Sequence, residues 1–378
     1  MSKRRGDSAE TAAPAIVPDE DARQPGNYPY AVTRIRARKS TLITPEQFEK
    51  LVVYDVPQVT RFIQESQYRA QVDRLAVKFK GVDLLEQALA LHLSELFTEV
   101  IGFCKGRLKV MVRAYLDKYD AQNYKNILRG KATKASSDTI QQTIIAAGEK
   151  NPEYWTTLIE TETFEQAVDK FDAPYGDEVR EVVRRIKREN AQATPKDMLP
   201  AIEETLDRIL YARLVQAAPG ENGAEKLYRE FIAKNIDIAN LTTLFVLVGE
   251  GLDANIIFSH MLPAGDELGP ELQKSLAAQK GLDAFLDALK KSDYWRHIEA
   301  ADPKVLETKS IAKLESALKR HVARWCANKG KQFPLSALPV VEFILRKELE
   351  VQNLRILARG KSLGLSEAVL RELLDLRK

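Results

Sequence analysis

The residues best placed to do chemistry lie in the stretch Asp120-Ala-Gln-Asn123-Tyr-Lys-Asn-Ile127-Leu-Arg129-Gly130-Lys131. On a helix an acid and an asparagine three residues apart share a face. Together they offer two acceptors and a donor to whatever packs there. The stretch returns near the C-terminus as Glu350-Val-Gln-Asn353-Leu-Arg-Ile-Leu357-Ala-Arg359-Gly360-Lys361. A weaker copy, Asp237-Ile-Ala-Asn240-Leu-Thr-Thr-Leu244, lies between them, with the three asparagines 117 and 113 residues apart. Gly360-Lys361-Ser362 invites comparison with a phosphate-binding loop. That loop requires a glycine at position 355, where Arg355 stands, and a strand before it, where a helix is expected. The first copy reads Gly130-Lys131-Ala132 and lacks the hydroxyl that would meet magnesium.

Other chemistries find less support. His92, His260, His297 and His321 show no paired metal-ligand spacing. Cys104 and Cys326 have no obvious partner and read as buried residues at helix ends. Carboxylates are plentiful, but no pair stands out as an acid–base couple. The expectation is a protein with no catalytic residues and no cofactor.

Two roles remain for the motif. Asp120, Asn123, Asp237, Asn240, Glu350 and Asn353 would tie each other or a neighbouring helix. Gly130 and Gly360 would stop their helices, making Arg-Gly-Lys a tight basic turn, with Ser136 or Ser137 and then Ser366 capping the next helix. Alternatively, Arg129, Lys131, Arg359 and Lys361 present positive charge to a partner. The middle copy has Val246-Leu-Val248 instead, so such a surface would be asymmetric.

These residues need long helices to position them, and the chain supplies the pattern. Leu84, Leu85, Ala88 and Leu91 repeat at helical spacing, as do Ile202, Leu206, Ile209 and Leu210. Alternating β-branched runs are missing, so an all-α protein is expected. With 378 residues, 44% of them hydrophobic, the chain can bury two or three cores. Its net charge of +3 does not by itself argue for nucleic acid. Two cysteines suit a reducing compartment. The longest strongly apolar run, Leu241 to Val248, falls well short of the roughly 20 residues a membrane span takes. No apolar signal segment follows Met1-Ser-Lys-Arg-Arg. A soluble, cytosolic polypeptide is expected.

Residues 1–27, with Lys3, Arg4 and Arg5 among Ala, Pro and acids, read as a disordered tail. Arg34, Arg36 and Arg38 then form the basic face of a first helix, a candidate contact surface, and Thr44-Pro45 caps a second.

The repeat extends outward from the motif. Long helices upstream close on Phe103-Cys104-Lys-Gly106, Ala217-Ala-Pro219-Gly220 and Trp325-Cys326-Ala-Asn-Lys-Gly330. Tyr68, Tyr175 and Tyr294 are each followed four residues later by Val72, Val179 or Ile298. Gly148, Gly265 and Lys378 each lie 25 residues beyond their asparagine. Three helical domains of one design are therefore expected, at 28–150, 151–266 and 267–378.

The opening Tyr30-Ala-Val-Thr-Arg-Ile-Arg-Ala-Arg-Lys-Ser40, the Asn123–Lys131 stretch and the closing Glu348–Lys361 stretch resemble the C subunits of archaeal-type (A-type) ATP synthases and their eukaryotic counterpart, the d subunit of the vacuolar proton pump. The resemblance covers nearly all of 28–378; the middle copy departs from it, as does the proline-bearing tail. It implies three similar helical domains arranged as a funnel with pseudo-threefold symmetry. It also implies a non-catalytic rotor component, peripheral on the cytoplasmic side of the membrane. Its partners would be the central shaft and the ring of proteolipid subunits, with neither nucleic acid nor a small-molecule substrate. The competing reading is a helical-repeat scaffold that binds a protein or RNA. A period near 115 residues argues against the usual short repeats of that class. A helical prenyl-transfer enzyme would need Asp-rich clusters, and none are seen.

Overall fold

The computed structural model describes residues 20–220, 222–292, 294–301 and 309–374, and every regular element among them is helical. A 3-10 turn at Glu20–Arg23 and α1 (Tyr28–Lys39) come first. Three sets of six helices follow. The first is α2 (Pro45–Val53), α3 (Val56–Gln64), α4 (Arg69–Leu75), α5 (Gly81–Phe103), α6 (Gly106–Ala132) and α7 (Ser137–Gln141). The second is α8 (Pro152–Ile159), α9 (Phe164–Asp169), α10 (Tyr175–Glu189), α11 (Pro195–Gln216), α12 (Gly223–Gly249) and α13 (Ala254–Ser259). The third is α14 (Pro270–Ala277), α15 (Leu282–Lys290), α16 (Trp295–Ala301), α17 (Ile311–Gln332), α18 (Leu338–Ser362) and α19 (Glu367–Leu373).

Local chemistry sets the helix starts. Pro45, Pro152 and Pro270 open the first helix of each set, where a missing N–H costs nothing. Thr44 and Gln47 form a capping box ahead of α2, and Asp55 and Gln58 do so ahead of α3. Ser136, Asp253 and Ser366, each thirteen residues after its asparagine, cap α7, α13 and α19 through their side chains.

The helix ends depart from expectation. Gly130 and Gly360 do not stop their helices: α6 runs on to Ala132 and α18 to Ser362, so Arg-Gly-Lys is the last helical turn rather than a loop. The chain reverses four residues later, at Lys134, Gly251 and Gly364, all with positive φ and all eleven residues past the asparagine. The glycines in Arg-Gly-Lys serve packing. A Cβ on Gly130 would fall 2.4 Å from Ile140 Cγ1, and one on Gly360 would fall 2.4 Å from Leu370 Cδ2. They let α7 and α19 fold back tightly. Gly330 likewise lies inside α17, which continues to Gln332. Of the expected tail, residues 1–19, with Lys3, Arg4 and Arg5, lie outside the described residues. Residues 20–27 are tied to the body: Asp21 pairs with Lys109 at 2.7 Å, and Gln24 O accepts from Arg107 N at 2.9 Å.

The sets pack on each other in a cycle. The long helix α6 of the first lies on α11 of the second, α12 of the second on α17 of the third, and α18 of the third on α5 of the first. The apolar stripes, except half-buried Leu91, and the three tyrosines with their Val72, Val179 and Ile298 partners are buried in this core. α12 is long and apolar enough to cross a membrane by length and composition, yet 61% of its most apolar window is buried within the protein.

Candidate functional site: three acid–asparagine joints

At each place where one set meets the next, the motif makes the connection. Asn123 clamps Ile145 with two bonds: its Nδ2 donates to the Ile145 carbonyl (2.9 Å), and its Oδ1 accepts from Ile145 N (3.1 Å). Asn240 does the same to Leu262, at 2.9 and 2.7 Å. Both clamped residues lie 22 positions on. The matching position for Asn353 is 375, outside the described residues, and Asn353 itself is buried.

The acids close the joints. Asp120 Oδ2 accepts from Glu149 N at 2.6 Å and Lys150 N at 3.1 Å. Asp237 accepts from Asp266 N, Glu267 N and Leu268 N at 3.1, 2.8 and 3.2 Å. Both carboxylates lie against a glycine, and a Cβ on Gly148 or Gly265 would come within 2.3 Å of a carboxylate oxygen. The glycines 25 residues past the asparagine therefore mark where the backbone must touch the acid. Glu350 is bonded differently. It reaches instead to the start of the chain, accepting from Ile43 N (2.6 Å), Gln67 Nε2 (3.1 Å) and the Tyr68 hydroxyl. Ile43, Lys150 and Leu268 each stand just before the residue that caps α2, α8 or α14. The three acids thus perform one act at one register.

Burial differs among them in electrostatic effect. Desolvation, with the nearby Asp117 charge, pushes Asp120 up to about 8. Its Oδ1 is buried without a hydrogen-bond partner, as suits a protonated carboxyl. Desolvation also raises Asp237, to about 6, with its three backbone donors opposing.

Arg-Gly-Lys reinforces two of the three joints. Arg129 forks onto Glu203 with two bonds of 2.6 Å, and Lys131 Nζ donates to the carbonyls of Ile159 (2.7 Å) and Thr161. Arg359 forks onto Glu86, and Lys361 Nζ donates to Val52 O at 2.6 Å. In the second joint the equivalent positions are Val246, 40% exposed, and buried Val248. Arg34 and Arg38 converge on Glu99 of α5, while Arg36 is exposed. The expected basic helix is therefore real, but two of its three arginines face an acid of the same chain.

Several partners were not legible. Six residues before each asparagine stand Asp117, Lys234 and Lys347, all buried. Asp117 meets Arg213 (2.7 Å) and the Tyr175 hydroxyl (2.8 Å). Lys234 meets Asp266 and Glu267. Lys347, fully enclosed, bonds Glu350 at 2.7 Å and the Tyr68 hydroxyl at 2.8 Å. Counting one more turn back along each helix finds these positions, though not their charges. His297 and His321, far apart in sequence, stack with ring centroids 4.2 Å apart, and His297 Nε2 lies 2.7 Å from Glu267. Burial pushes His321 down to about 4. Lys118 is walled in by protein, and burial lowers its pKa, yet 29% of its side chain still meets solvent beside Glu348.

A cycle of stiff helices, cross-tied by buried polar joints, defines a mechanical body rather than a pocket for a small ligand. The description "ATP synthase (C/AC39) subunit" fits residues 31–373, and the chain belongs to that family. It is 34% identical over 361 residues to the A-type ATP synthase C subunit of Methanosarcina acetivorans, covering 95% of this chain and 96% of the relative. The same-named protein of Methanococcoides burtonii is 35% identical over 348 residues, covering 91% and 93%. That of Archaeoglobus fulgidus is 32% identical over 349 residues, covering 92% and 96%. The chain is thus a non-catalytic part of a rotary ATPase, within a membrane-associated complex.

Proposed function

We propose that the chain is a central-stalk rotor element, joining the shaft to the proteolipid ring on the cytoplasmic side of the membrane. In this role it transmits torque between ion translocation and ATP synthesis or hydrolysis. The repeat units run 28–150, 151–266 and 267–378 and surround a central hollow, the funnel that receives the shaft end. The observation that carries this reading is the cyclic packing of α6 on α11, α12 on α17 and α18 on α5, with a buried acid of α6, α12 and α18 holding the segment just before α8, α14 or α2. Torque transmission demands a body that does not slip, and long helices packed in a closed cycle with buried polar joints favour that.

Contacts with ring or shaft are assigned to Arg34, Arg36 and Arg38 on α1 and to the exposed side of Arg129 and Arg359. The Arg129 and Arg359 side chains are 52% and 66% exposed despite their acid partners. Lys131 and Lys361, at the same helix ends, complete the set. The test is a pull-down of the tagged chain from solubilised membranes. Shaft and proteolipid subunits should follow it, and charge reversal at Arg129, Lys131, Arg359 and Lys361 together should weaken their recovery while circular dichroism stays helical. Normal recovery with the reversed chain would leave these residues as internal ties only. Recovery of RNA without ATPase subunits would overturn the rotor reading.

A further inference from the structure

The three joints share one act, but only two of them lie within continuous chain. Asp120 reaches Lys150 and Asp237 reaches Leu268, 30 and 31 residues on. Glu350 reaches Ile43, 307 positions away in sequence. Between the first and second sets, and between the second and third, the backbone limits how far the parts can separate. Between the third and the first nothing covalent intervenes.

Side-chain bonds cross that seam at several points. Glutamate replaces aspartate there, and its extra methylene spans a gap that a connecting loop fills elsewhere. Enclosed Lys347 neutralises it from the next turn of α18, at 2.7 Å. Tyr68, also fully buried, bonds both ends of the pair. Around this centre Arg359 holds Glu86, Lys361 holds Val52 O, Arg371 holds Glu49 at 3.0 Å, and Lys39 holds Glu342. With no peptide link, closure here rests on these side-chain bonds and on the packing of α18 against α1 and α5. Such bonds exchange with water on opening, whereas a peptide link does not.

We propose that this seam is a clasp: the third segment parts from the first there while the other two joints stay shut, turning the closed cycle into a split ring. The Lys347–Glu350–Tyr68 centre sets how often it opens. Parting exposes the surfaces of α18 and α5 together, so the event is subglobal rather than local fraying.

Native-state hydrogen exchange on the full chain tests this, because the amides of Ile43, Lys150 and Leu268 occupy one register in the three joints. The Ile43 amide should exchange at least about tenfold faster than the other two, with a clear urea dependence smaller than that of global unfolding. Glu350→Gln should quicken Ile43 by a further factor of about ten or more, leaving Lys150 and Leu268 changed only by the shift in global stability. If that variant does not fold, Lys361→Ala should give the same ordering with a smaller factor. Equal rates at all three amides overturn the clasp. So does fast Ile43 exchange without urea dependence, which is loop fraying, and so does earlier exchange at Leu268, which moves the opening to the second joint.

Discussion

The second joint and its two neighbours solve one problem with different materials. Flanking joints end in Arg-Gly-Lys, whose cations reach across to Glu203 or Glu86 and to backbone carbonyls of the next segment. The second joint ends in Val246-Leu247-Val248, with Phe245 edge-on to Phe285 at 6.0 Å. Its charges lie further back, where Lys234, Asp266, Glu267 and His297 gather around the loop that caps Asp237. The difference teaches that the acid–asparagine pair is the common mechanical element. The Arg-Gly-Lys cations are additions made at the first and third joints; at the second their places are taken by half-exposed Val246 and buried Val248.

That comparison can be broken most forcefully at Lys347. Glu350→Leu strands a lysine with no exposed surface, and should cost about 3–5 kcal/mol in urea unfolding. The double change Lys347→Met with Glu350→Leu should recover most of it. A single variant within about 1 kcal/mol of the parent would show that the centre contributes little. Next come the packing glycines. Gly130→Ala and Gly360→Ala drive a methyl into Ile140 or Leu370 and should each cost about 1–3 kcal/mol. Gly249→Ala, at the end of α12 with nothing near its Cβ, should instead be neutral or stabilise by about 0.5–1 kcal/mol.

Protons sharpen the contrast between the first and second joints. Asp120 is held up at about 8 from an ordinary 3.8, so its contribution is complete below pH 4 and is lost as pH rises through 8. Asp237, held at about 6, loses its contribution earlier. Asp120→Asn should therefore flatten the stability–pH profile up to pH 8, while Asp237→Asn should flatten only the part below about 6. Stability profiles from urea melts at stepped pH check both; if neither variant changes the profile, both carboxyls titrate as they do in the unfolded chain. The smallest effect belongs to the exposed forks. Arg129→Ala and Arg359→Ala should each cost about 0.2–1 kcal/mol, with salt reducing the loss.

Much of the design is legible in the chain itself. Helical spacing of apolar residues fixes the class, and Thr44, Ser136 and Ser366 cap helices as their types dictate. The triple register of acid, asparagine and downstream glycine identifies the positions that recur. These are local properties: periodicity, capping and spacing act within a turn or two of helix. What Gly130 and Gly360 do was not legible, because glycine serves equally to end a helix and to admit a close neighbour, and Ile140 and Leu370 select the second use only once α7 and α19 fold back. Nor could the sequence show that the Arg-Gly-Lys cations already have partners, since Glu203 and Glu86 lie 74 and 273 residues away. The sequence alone determined the helical class and the acid–asparagine motif that recurs along it. The tertiary structure alone decided that the long helices pack in a cycle, and that Glu350 meets the backbone N–H of Ile43, 307 positions away. The reason is physical: a buried carboxylate must find donors wherever packing brings them, and packing is set by surfaces that meet in space rather than along the chain.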